Sequence, residues 1–533
     1  MAKVKQRGGD SGSPTFGSGT KREENREDRE KDRGDDEGDR EGDREGDRRA
    51  GNDERGAVST VAGSLCEAAA KVLDEKLFTP SFFREIWERS PLLLRQEDLG
   101  DTPFSGRRLV SEEDMICMCY RGAIAETLKV FQEGKLYNPP QIPFPDAEPA
   151  DTSATSSSPS ASSPPSSSPR SPSCPSSPSS SSVSAELRSR EGKKVTPSAS
   201  LLRAVCRYLD GFSLVVNQAD RTLGVLQSIC HHLAKKYFTH VFAVSYLTPP
   251  NTHAVKTHTD DQSLLPGSSQ DVILIQLWGS KSWKIWTPPQ VLPLTEEMLG
   301  KQGPFPGDPG EPLLDFVLKE GDILYIPRGF PHAALTTEEP SLHVTLTVPT
   351  AEYAYVTCVQ RFVKSLIIDH KLPAESERRC RSALLLRSAR SGAEDAELRA
   401  CVDSCAAQLA AGLSYDSLAR CLEEHLNTVN ALQIREFSRL QSFPVVPAFT
   451  ASSVVRLAPG LTCCCEEGST EAIFFKGTQS LTMKIYASAS RLIHALAGRQ
   501  AQKICKLPCA DPFERFCVLL VLHSKDLIEV LSR

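Results

Sequence analysis

In five short segments of the chain, apolar residues form continuous runs or alternate with polar residues, and this pattern predicts β-strands. Each segment is rich in β-branched and aromatic residues and is bounded by proline, glycine or aspartate. The segments are FAVSYLT (242–248), DVILIQLW (271–278), KSWKIWT (281–287), DILYIP (322–327) and SLHVTLTV (341–348). Strand signals thus mark the interval from residue 200 to residue 350, and short strands at such close spacing predict a β-sandwich or a jelly roll.

Helical periodicity flanks this interval on both sides. Upstream, residues 64–95 predict two amphipathic helices, the second of which is ended by Pro91. Downstream, residues 351–440 predict helices. Residues 448–533 predict a small mixed domain that ends in an apolar helix at residues 517–531. The fold class predicted from these patterns is α+β.

Two polar tracts interrupt the globular pattern. Residues 21–56 are a run of charged side chains, and residues 140–196 are dominated by serine and proline. Such segments bury too little apolar surface to offset the entropy of the chain, so both are predicted to be disordered. The predicted units are therefore a disordered charged tail at 1–57, a domain at 58–350 with a disordered insertion at 140–196, a helical region at 351–445 and a C-terminal domain at 446–533.

Composition narrows the class of protein. The 533 residues carry a net charge of −6, so no overall positive field indicates a nucleic-acid partner. No apolar segment near the N-terminus resembles a secretory signal, and apolar runs such as residues 516–522 are too short to span a bilayer. The 17 cysteines are irregularly spaced and include no paired zinc-knuckle motif. We therefore expect a soluble intracellular protein with free thiols.

Three residues form a candidate metal site. His258 and Asp260 are two positions apart, and alternate residues of a strand point to the same face of the sheet. His332 follows the turn at residues 327–331 and begins another strand, which could return to the same place across a barrel. Two histidines and one carboxylate on one face of an octahedron are the ligand set of non-haem Fe(II) oxygenases, and they leave three positions open for cosubstrate and dioxygen.

Lys281 is a candidate cosubstrate ligand. It follows the apolar strand at 271–278, and a lysine inside a barrel is costly unless it is paired with an anion. The distal carboxylate of 2-oxoglutarate is such an anion. An exposed lysine in a hairpin accounts for the same residue equally well, so the sequence alone leaves both interpretations open.

Four motifs in order give a family resemblance. They are YLTPPN at 246–251, HTDD at 258–261, QLWGSKSW at 276–283 and GDILYIPRGFPH at 321–332. Their joint occurrence resembles the JmjC-type ribosomal oxygenases, a family of bifunctional histidyl-hydroxylases and lysine-specific demethylases. The resemblance implies a double-stranded β-helix (a cupin-like jelly roll, the JmjC core) within 58–350, a helical dimerisation region at 351–445 and a winged-helix-like domain at 446–533.

The same resemblance assigns the site residues. It implies that His258, Asp260 and His332 hold Fe(II) and act in catalysis, and that Lys281 binds 2-oxoglutarate. It places Tyr246 and Thr347 near that cosubstrate, with dioxygen as the oxidant. His343 matches a recurrent histidine of the last core strand, for which a structural role in the core is the better interpretation. The chain departs from the family pattern at Val244, at Thr259 and in extra residues at 263–270, all on the expected approach of the substrate.

The implied activity is that of a 2-oxoglutarate-dependent dioxygenase which hydroxylates a histidine of a ribosomal protein. The alternative is a histone lysine demethylase that acts on chromatin, and the residues of the metal site do not choose between them. A non-catalytic scaffold and a nucleic-acid-binding protein acting through residues 448–533 are weaker alternatives. The resemblance further implies a homodimer in the nucleus, in the nucleolus in particular, with no membrane association and no direct contact with nucleic acid.

Overall fold

The computed structural model describes residues 53–132, 135–137, 199–252, 257–258, 270–294, 297, 310–370, 373–381, 391–443, 449–485, 487–498, 500–509 and 511–532. The predicted insertion at 140–196 lies outside these ranges, and so does the predicted tail up to residue 52. Thr259, Asp260 and residues 263–269 also lie outside them.

The helices and strands of these ranges follow in chain order. The helices are α1 Asp53–Val72, α2 Gln96–Leu99, α3 Glu112–Ile124, α4 Ala199–Leu209, α5 Gly224–Lys236, α6 Tyr355–Ile368, α7 Ala374–Arg381, α8 Gly392–Gly412, α9 Tyr415–Gln441, α10 Ser490–Ala497 and α11 Pro512–Ser524. The strands are β1 Leu92–Leu94, β2 Leu128–Gln132, β3 Lys135–Tyr137, β4 Ser213–Val216, β5 Phe242–Thr248, β6 Asp271–Trp278, β7 Ser280–Ile285, β8 Leu314–Lys319, β9 Ile323–Ile326, β10 His332–Thr336, β11 Ser341–Val348, β12 Val454–Leu457, β13 Leu461–Cys464, β14 Glu471–Lys476, β15 Gln479–Lys484, β16 Gln502–Lys503 and β17 Ile528–Ser532.

Two antiparallel sheets form a jelly roll. The larger sheet has the order β1-β9-β6-β11-β5-β4-β2-β3, and the smaller has the order β10-β7-β8. An isolated antiparallel pair between His258 and His332 extends the smaller sheet beyond β10. Apolar side chains of β6 and β9 pack against those of β7 and β8 between the two sheets. This is the double-stranded β-helix expected from the sequence.

Strand alternation separates the two faces of the larger sheet. On β6, Ile273 and Ile275 belong to the main hydrophobic core, together with side chains of α3, α4 and α5. Val272 and Leu274 point the other way, into the space between the sheets. Helices therefore cover one face of the larger sheet, while its other face lines the interior of the jelly roll.

The segment after α1 fixes β1 at the edge of the jelly roll. Trp87 stacks on Tyr325 of β9 with ring centroids 5.4 Å apart. The Tyr325 hydroxyl accepts a hydrogen bond from the backbone N–H of Glu88 (2.8 Å) and donates one to buried Asp271 (2.7 Å). Arg95 pairs with Asp322 at 2.8 Å. These contacts hold the turn before β9, which precedes the His332 strand.

Several predicted elements differ in the structure. The second of the two predicted N-terminal helices is a single wide turn, Phe82–Ile86, and α1 begins at Asp53, inside the predicted tail. Extending a helix that has already formed costs far less than starting one, so α1 continues upstream into polar sequence. The interval assigned to strands also contains α4 and α5.

The predicted helix at residues 517–531 is wrong in its second half. α11 ends at Ser524, and Asp526 adopts a left-handed backbone conformation with φ of 56°. The chain then forms β17, which pairs with β12. Lys525 and Asp526 are only a weak turn signal in the sequence, because neither is glycine or proline.

Two further regions follow the jelly roll. Helices α6 to α9 form one, in which α6 and α9 pack together through Phe362, Leu366 and Leu418. The last region has two three-stranded sheets, β16-β12-β17 and β13-β14-β15, with α10 and α11. Within the described ranges, no helix has the length and apolar character that a bilayer crossing requires.

Candidate active site

His258 and His332 form a pair at one end of the jelly roll. The backbone N–H of His332 donates to the carbonyl of His258 at 2.9 Å, and the N–H of His258 donates to the carbonyl of His332 at 3.1 Å. The two imidazole rings lie 4.4 Å apart between centroids, inclined at 60°. The structure thus brings together two residues that are 74 positions apart in the chain, as the sequence predicted.

The ring of His332 is oriented by its own turn. Its Nδ1 lies 3.0 Å from the carbonyl oxygen of Phe330, which accepts a proton from that nitrogen in one tautomer. In that tautomer Nε2 carries a lone pair. A backbone carbonyl bound to the far nitrogen is the usual way in which a metal-binding histidine is fixed, so His332 is suited to bind a metal through Nε2.

Asp260, the third predicted ligand, lies outside the described residues, and its role as a ligand stays a prediction. In the part of the chain that the structure describes, no three acidic, histidine or cysteine side chains come close enough to hold a metal ion. The two histidines are therefore the described part of the predicted site.

Lys281 lies in the interior of the jelly roll and not on an exposed hairpin. Its residue is 1% exposed, and its Nζ donates a hydrogen bond to Thr248 Oγ1 at 3.1 Å. Burial lowers the pKa of Lys281 to about 7. Among the described residues, no carboxylate forms an ion pair with this ammonium group, so the interior has a place for an external anion.

Aromatic rings line the space between the histidine pair and the lysine. Trp283 lies 5.8 Å from the ring of His332 and 5.7 Å from that of His343. Tyr246 stacks on His343 at 4.9 Å with the planes 9° apart. Tyr246, predicted to lie near the cosubstrate, therefore belongs to the same wall as His343.

Thr347 is buried on β11, where it faces Phe242 of β5 and Val272 of β6. Its Oγ1 has no hydrogen-bond partner within the described ranges. Val244, where the family pattern has asparagine, is buried in an apolar cluster with Phe242 and Val215. This substitution makes that part of the interior apolar.

The YLTPPN segment is fastened to the edge of the smaller sheet. Thr336 Oγ1 donates to the carbonyl of Pro249 at 2.6 Å, and it accepts from the backbone N–H of Thr252 at 2.8 Å. The N–H of Asn251 donates to the carbonyl of Thr337 at 2.8 Å. These bonds hold Thr248 against Lys281.

Sequence reasoning missed two residues of this interior, Thr248 and Trp283. Thr248 belongs to the YLTPPN motif and Trp283 to the QLWGSKSW motif, but neither motif shows which residue lies opposite which. Pairing between β7 and β10, and the path of β5, decide that Thr248 meets Lys281 and that Trp283 meets the histidines. The one signal for Trp283 in the sequence was its position two residues after Lys281, because residues two apart on a strand point to the same face.

Comparisons with known proteins agree with this geometry. Residues 221–356 match the model of the JmjC domain. The bifunctional lysine-specific demethylase and histidyl-hydroxylase NO66 of Drosophila yakuba is 34% identical over 160 residues, which are 29% of this chain and 22% of that protein. The protein of the same name from Drosophila melanogaster is 34% identical over 143 residues, 26% of this chain and 20% of that protein. The matched part of the chain thus spans about a fifth of the length of these curated relatives.

Solved structures of the Escherichia coli ribosomal oxygenase YcfD also align. One, in complex with cobalt and succinic acid, covers 86% of this chain and 99% of that chain at 14% identity, with a TM-score of 0.33. Another covers 85% and 97% with a TM-score of 0.34. The fold assignment rests on the strand order and on the domain match, not on these alignments. Over residues 221–356, this chain is therefore similar to the JmjC domain.

Proposed function

We propose that this protein is an Fe(II)- and 2-oxoglutarate-dependent oxygenase that hydroxylates a histidine of a ribosomal protein. One observation carries the proposal: a pair of histidines and a buried lysine without an acidic partner among the described residues line the same interior of a JmjC jelly roll. The histidine pair would supply two of the three metal ligands, and the lysine would bind an anion.

The donor set fits Fe(II). Two imidazoles and the carboxylate of Asp260 would occupy three positions and leave three for exchangeable ligands, the arrangement typical of non-haem iron oxygenases. The hydrogen bond from His332 to the Phe330 carbonyl keeps a lone pair on the other nitrogen. His258 is held beside it by the two backbone bonds of the isolated pair.

The interior also fits 2-oxoglutarate. Lys281 and Thr248 would bind the distal carboxylate, and an anion there would restore the ordinary charged state of the lysine. Tyr246 and Thr347 would supply hydroxyl groups to the same interior. Thr347 Oγ1 is buried without a described partner, which is what a ligand-binding hydroxyl looks like before its ligand is present.

Bound iron and 2-oxoglutarate supply the oxidation of an unactivated C–H bond by dioxygen. The chain itself would position the cosubstrate and the metal, and it would exclude water. Lys281 would fix the far end of the cosubstrate, His332 and His258 would fix the metal, and the apolar cluster of Val272, Leu274 and Ile285 would exclude water from the space between the sheets.

Substrate choice is the part of the proposal that rests on the relatives. Their name combines histidine hydroxylation with lysine demethylation, so demethylation of a histone lysine is the second candidate. Succinate production by the purified protein with Fe(II), ascorbate and 2-oxoglutarate tests both. Ribosomal-protein peptides and methylated histone tails are compared, and Asp260→Ala serves as the inactive control.

Mass spectrometry of the peptides separates the outcomes. A gain of one oxygen supports the hydroxylase, and the loss of a methyl group supports the demethylase. Absence of metal and 2-oxoglutarate binding, together with no stimulated turnover, would overturn the proposal in favour of a scaffold.

The remaining architecture is proposed on the same footing. We place the JmjC unit at 58–350, a dimerisation region at 351–445 and a winged-helix-like domain at 446–533. Tyr355, Ile368, Val402 and Tyr415 are 87%, 67%, 56% and 82% exposed on the helical region, and a second copy of the chain would cover such apolar surface. Light scattering on the eluted protein would give twice the chain mass if this dimer forms.

Nuclear, nucleolar localisation is part of the same proposal, without membrane association or direct contact with nucleic acid. A fluorescent fusion, imaged beside a nucleolar marker, tests the localisation. Exclusion of the fusion from the nucleus would overturn it.

A further inference from the structure

Trp283 occupies the middle of the interior between the two predicted binding groups. Along β7 and β10, Ile285 lies opposite His332, Trp283 opposite Ala334, and Lys281 opposite Thr336. Lys281 and Trp283 share the inner face of β7, and alternate residues of a strand are about 6–7 Å apart. An elongated molecule that reaches from the histidine pair to Lys281 must therefore pass the level of the Trp283 indole.

The indole of Trp283 has an unused donor. Its residue is 4% exposed, and Nε1 is buried without a hydrogen-bond partner among the described residues. Two neighbouring tryptophans differ in this respect. Nε1 of Trp278 donates to the carbonyl of Val110, and Nε1 of Trp286 donates to the carbonyl of Gly310, both at 2.9 Å.

A buried N–H that lacks an acceptor destabilises the protein in the absence of a ligand. An indole can only donate, so the missing partner must be an acceptor. The surrounding rings of His332 and His343 lie 5.8 and 5.7 Å away between centroids, and they place the indole on the wall of the proposed cosubstrate pocket. 2-Oxoglutarate in that pocket would have carboxylate oxygens at both ends and a keto oxygen beside one of the two carboxylates.

We propose that the Trp283 indole N–H donates a hydrogen bond to an oxygen of bound 2-oxoglutarate. Trp283 is then a further cosubstrate-binding residue, and it adds a directional contact between the metal end and the Lys281 end. This inference rests on the proposed function, because it requires the cosubstrate to bind in the jelly roll.

Indole resonances test the contact directly. The four tryptophans give separate side-chain N–H signals in protein labelled with ¹⁵N-tryptophan, and the signal missing in Trp283→Phe identifies Trp283. The full chain is loaded with Zn(II), which is redox-inert, and titrated with 2-oxoglutarate. We expect the Trp283 proton to shift downfield, while the protons of Trp278 and Trp286, which already have acceptors, keep their positions.

Calorimetry provides the second measurement. Trp283→Phe keeps an aromatic ring and removes the N–H, so 2-oxoglutarate should bind about tenfold more weakly to the Zn(II)-loaded variant. Trp286→Phe is the matched control, because its N–H already has the Gly310 carbonyl as acceptor. It should bind 2-oxoglutarate as the unmodified protein does.

Three outcomes would overturn the inference. An unmoved Trp283 resonance with unchanged affinity of Trp283→Phe refutes the contact and leaves the proposed function standing. If Trp283→Phe loses affinity for Zn(II) by the same factor as it loses affinity for 2-oxoglutarate, the indole only supports the histidines. Failure of the unmodified protein to bind 2-oxoglutarate at all refutes the proposed function, and the inference with it.

Discussion

His258 and His332 exchange both backbone hydrogen bonds of a single antiparallel residue pair, which sets their rings 4.4 Å apart. Residue 332 begins β10, so the rest of that strand extends from the pair into the interior. The backbone thus fixes the separation of the two imidazoles before any ligand is present. A metal site built on this pair would depend on the identity of the two side chains more than on the flexibility of the backbone.

Replacement of His332 by alanine should remove metal binding. We expect the affinity for Mn(II) to fall at least about 100-fold, since the ligand itself is lost and losses of 10- to 100-fold follow from changes to groups that merely orient a ligand. Calorimetric titration of the full chain measures this. The control is His370→Ala, at an exposed histidine outside the jelly roll. Equal Mn(II) affinity in the two variants would rule out His332 as a ligand.

Lys281→Met should stabilise the ligand-free protein while abolishing 2-oxoglutarate binding. Burial lowers the pKa of Lys281 to about 7 from 10.5, so the folded state binds the proton less tightly than the unfolded state. With respect to Lys281, the free energy of unfolding is therefore highest above about pH 10.5, and it falls as the pH is lowered to 7. A methionine of similar shape removes that cost, and we expect a gain of about 1–3 kcal/mol in the free energy of unfolding at pH 7.

Denaturant unfolding with and without 2-oxoglutarate checks both parts of this prediction. The unmodified protein, loaded with Mn(II), should gain stability from the ligand, and Lys281→Met should not. Lys284→Met is the control, since Lys284 is half exposed on the same strand. A less stable Lys281→Met variant that still binds 2-oxoglutarate would contradict the assignment.

Binding of 2-oxoglutarate should take up a proton above neutral pH. The free site has a Lys281 pKa of about 7, and a bound carboxylate raises it, so the protein is neutral at this residue before binding and charged after it. Affinity should therefore fall as the pH rises from 7 to 9. Calorimetry at pH 8 in two buffers with different ionisation enthalpies should report uptake of up to one proton. Uptake near zero at pH 8 would place the anion elsewhere.

Asp271 should make the protein less stable as the pH rises from 4 to 7. Burial raises the pKa of this carboxyl group to about 6 from 3.8, and it accepts hydrogen bonds from Tyr325 and Thr350. The folded state holds the proton more tightly, so the contribution is complete below about pH 4 and is lost as the pH passes 6. The advantage of Asp271→Asn over the unmodified protein should thus grow by about 2–3 kcal/mol across this range.

Urea unfolding at a series of pH values measures that difference. Asp315→Asn, at a half-exposed position on β8, should show no comparable trend. A difference that stays flat for Asp271→Asn would mean that its carboxyl group is not held in the buried state described.

The sequence predicted the strands of the larger sheet better than it predicted the elements around them. β5, β6 and β11 begin and end where the patterns of 242–248, 271–278 and 341–348 do. These strands are buried along nearly their whole length, so their apolar runs end where burial ends. α4 and α5 were missed, because the whole interval from residue 200 to residue 350 was assigned to strands on signals that begin only at residue 242.

Candidate site residues could be predicted from the sequence where the residue type within a motif suggests a chemical role. They could not be predicted where only contacts in the folded protein identify them. Lys281 could be named as a candidate anion ligand, yet the sequence left open whether it lies inside a barrel or on an exposed hairpin. Trp283 and Thr248 became recognisable only through the pairing of β7 with β10 and the hydrogen bond to Lys281 Nζ. The role of Asp260 as a metal ligand stays a prediction, because this residue lies outside the described ranges.

Gly279 should be the least replaceable glycine of the turn that precedes Lys281. It has φ of 59°, and a Cβ built there would collide with the carbonyl oxygen of Pro340. Gly279 joins β6 directly to β7, and Pro340 immediately precedes β11, so neither side can retreat without a shift of Lys281. Gly279→Ala should lower the free energy of unfolding by about 2–4 kcal/mol and weaken 2-oxoglutarate binding.

Gly460→Ala, at φ of 79° with open space around the new methyl group, isolates the cost of the backbone conformation alone, about 1 kcal/mol. Equal losses in the two variants would show that the turn yields to the methyl group, and that Lys281 does not depend on it.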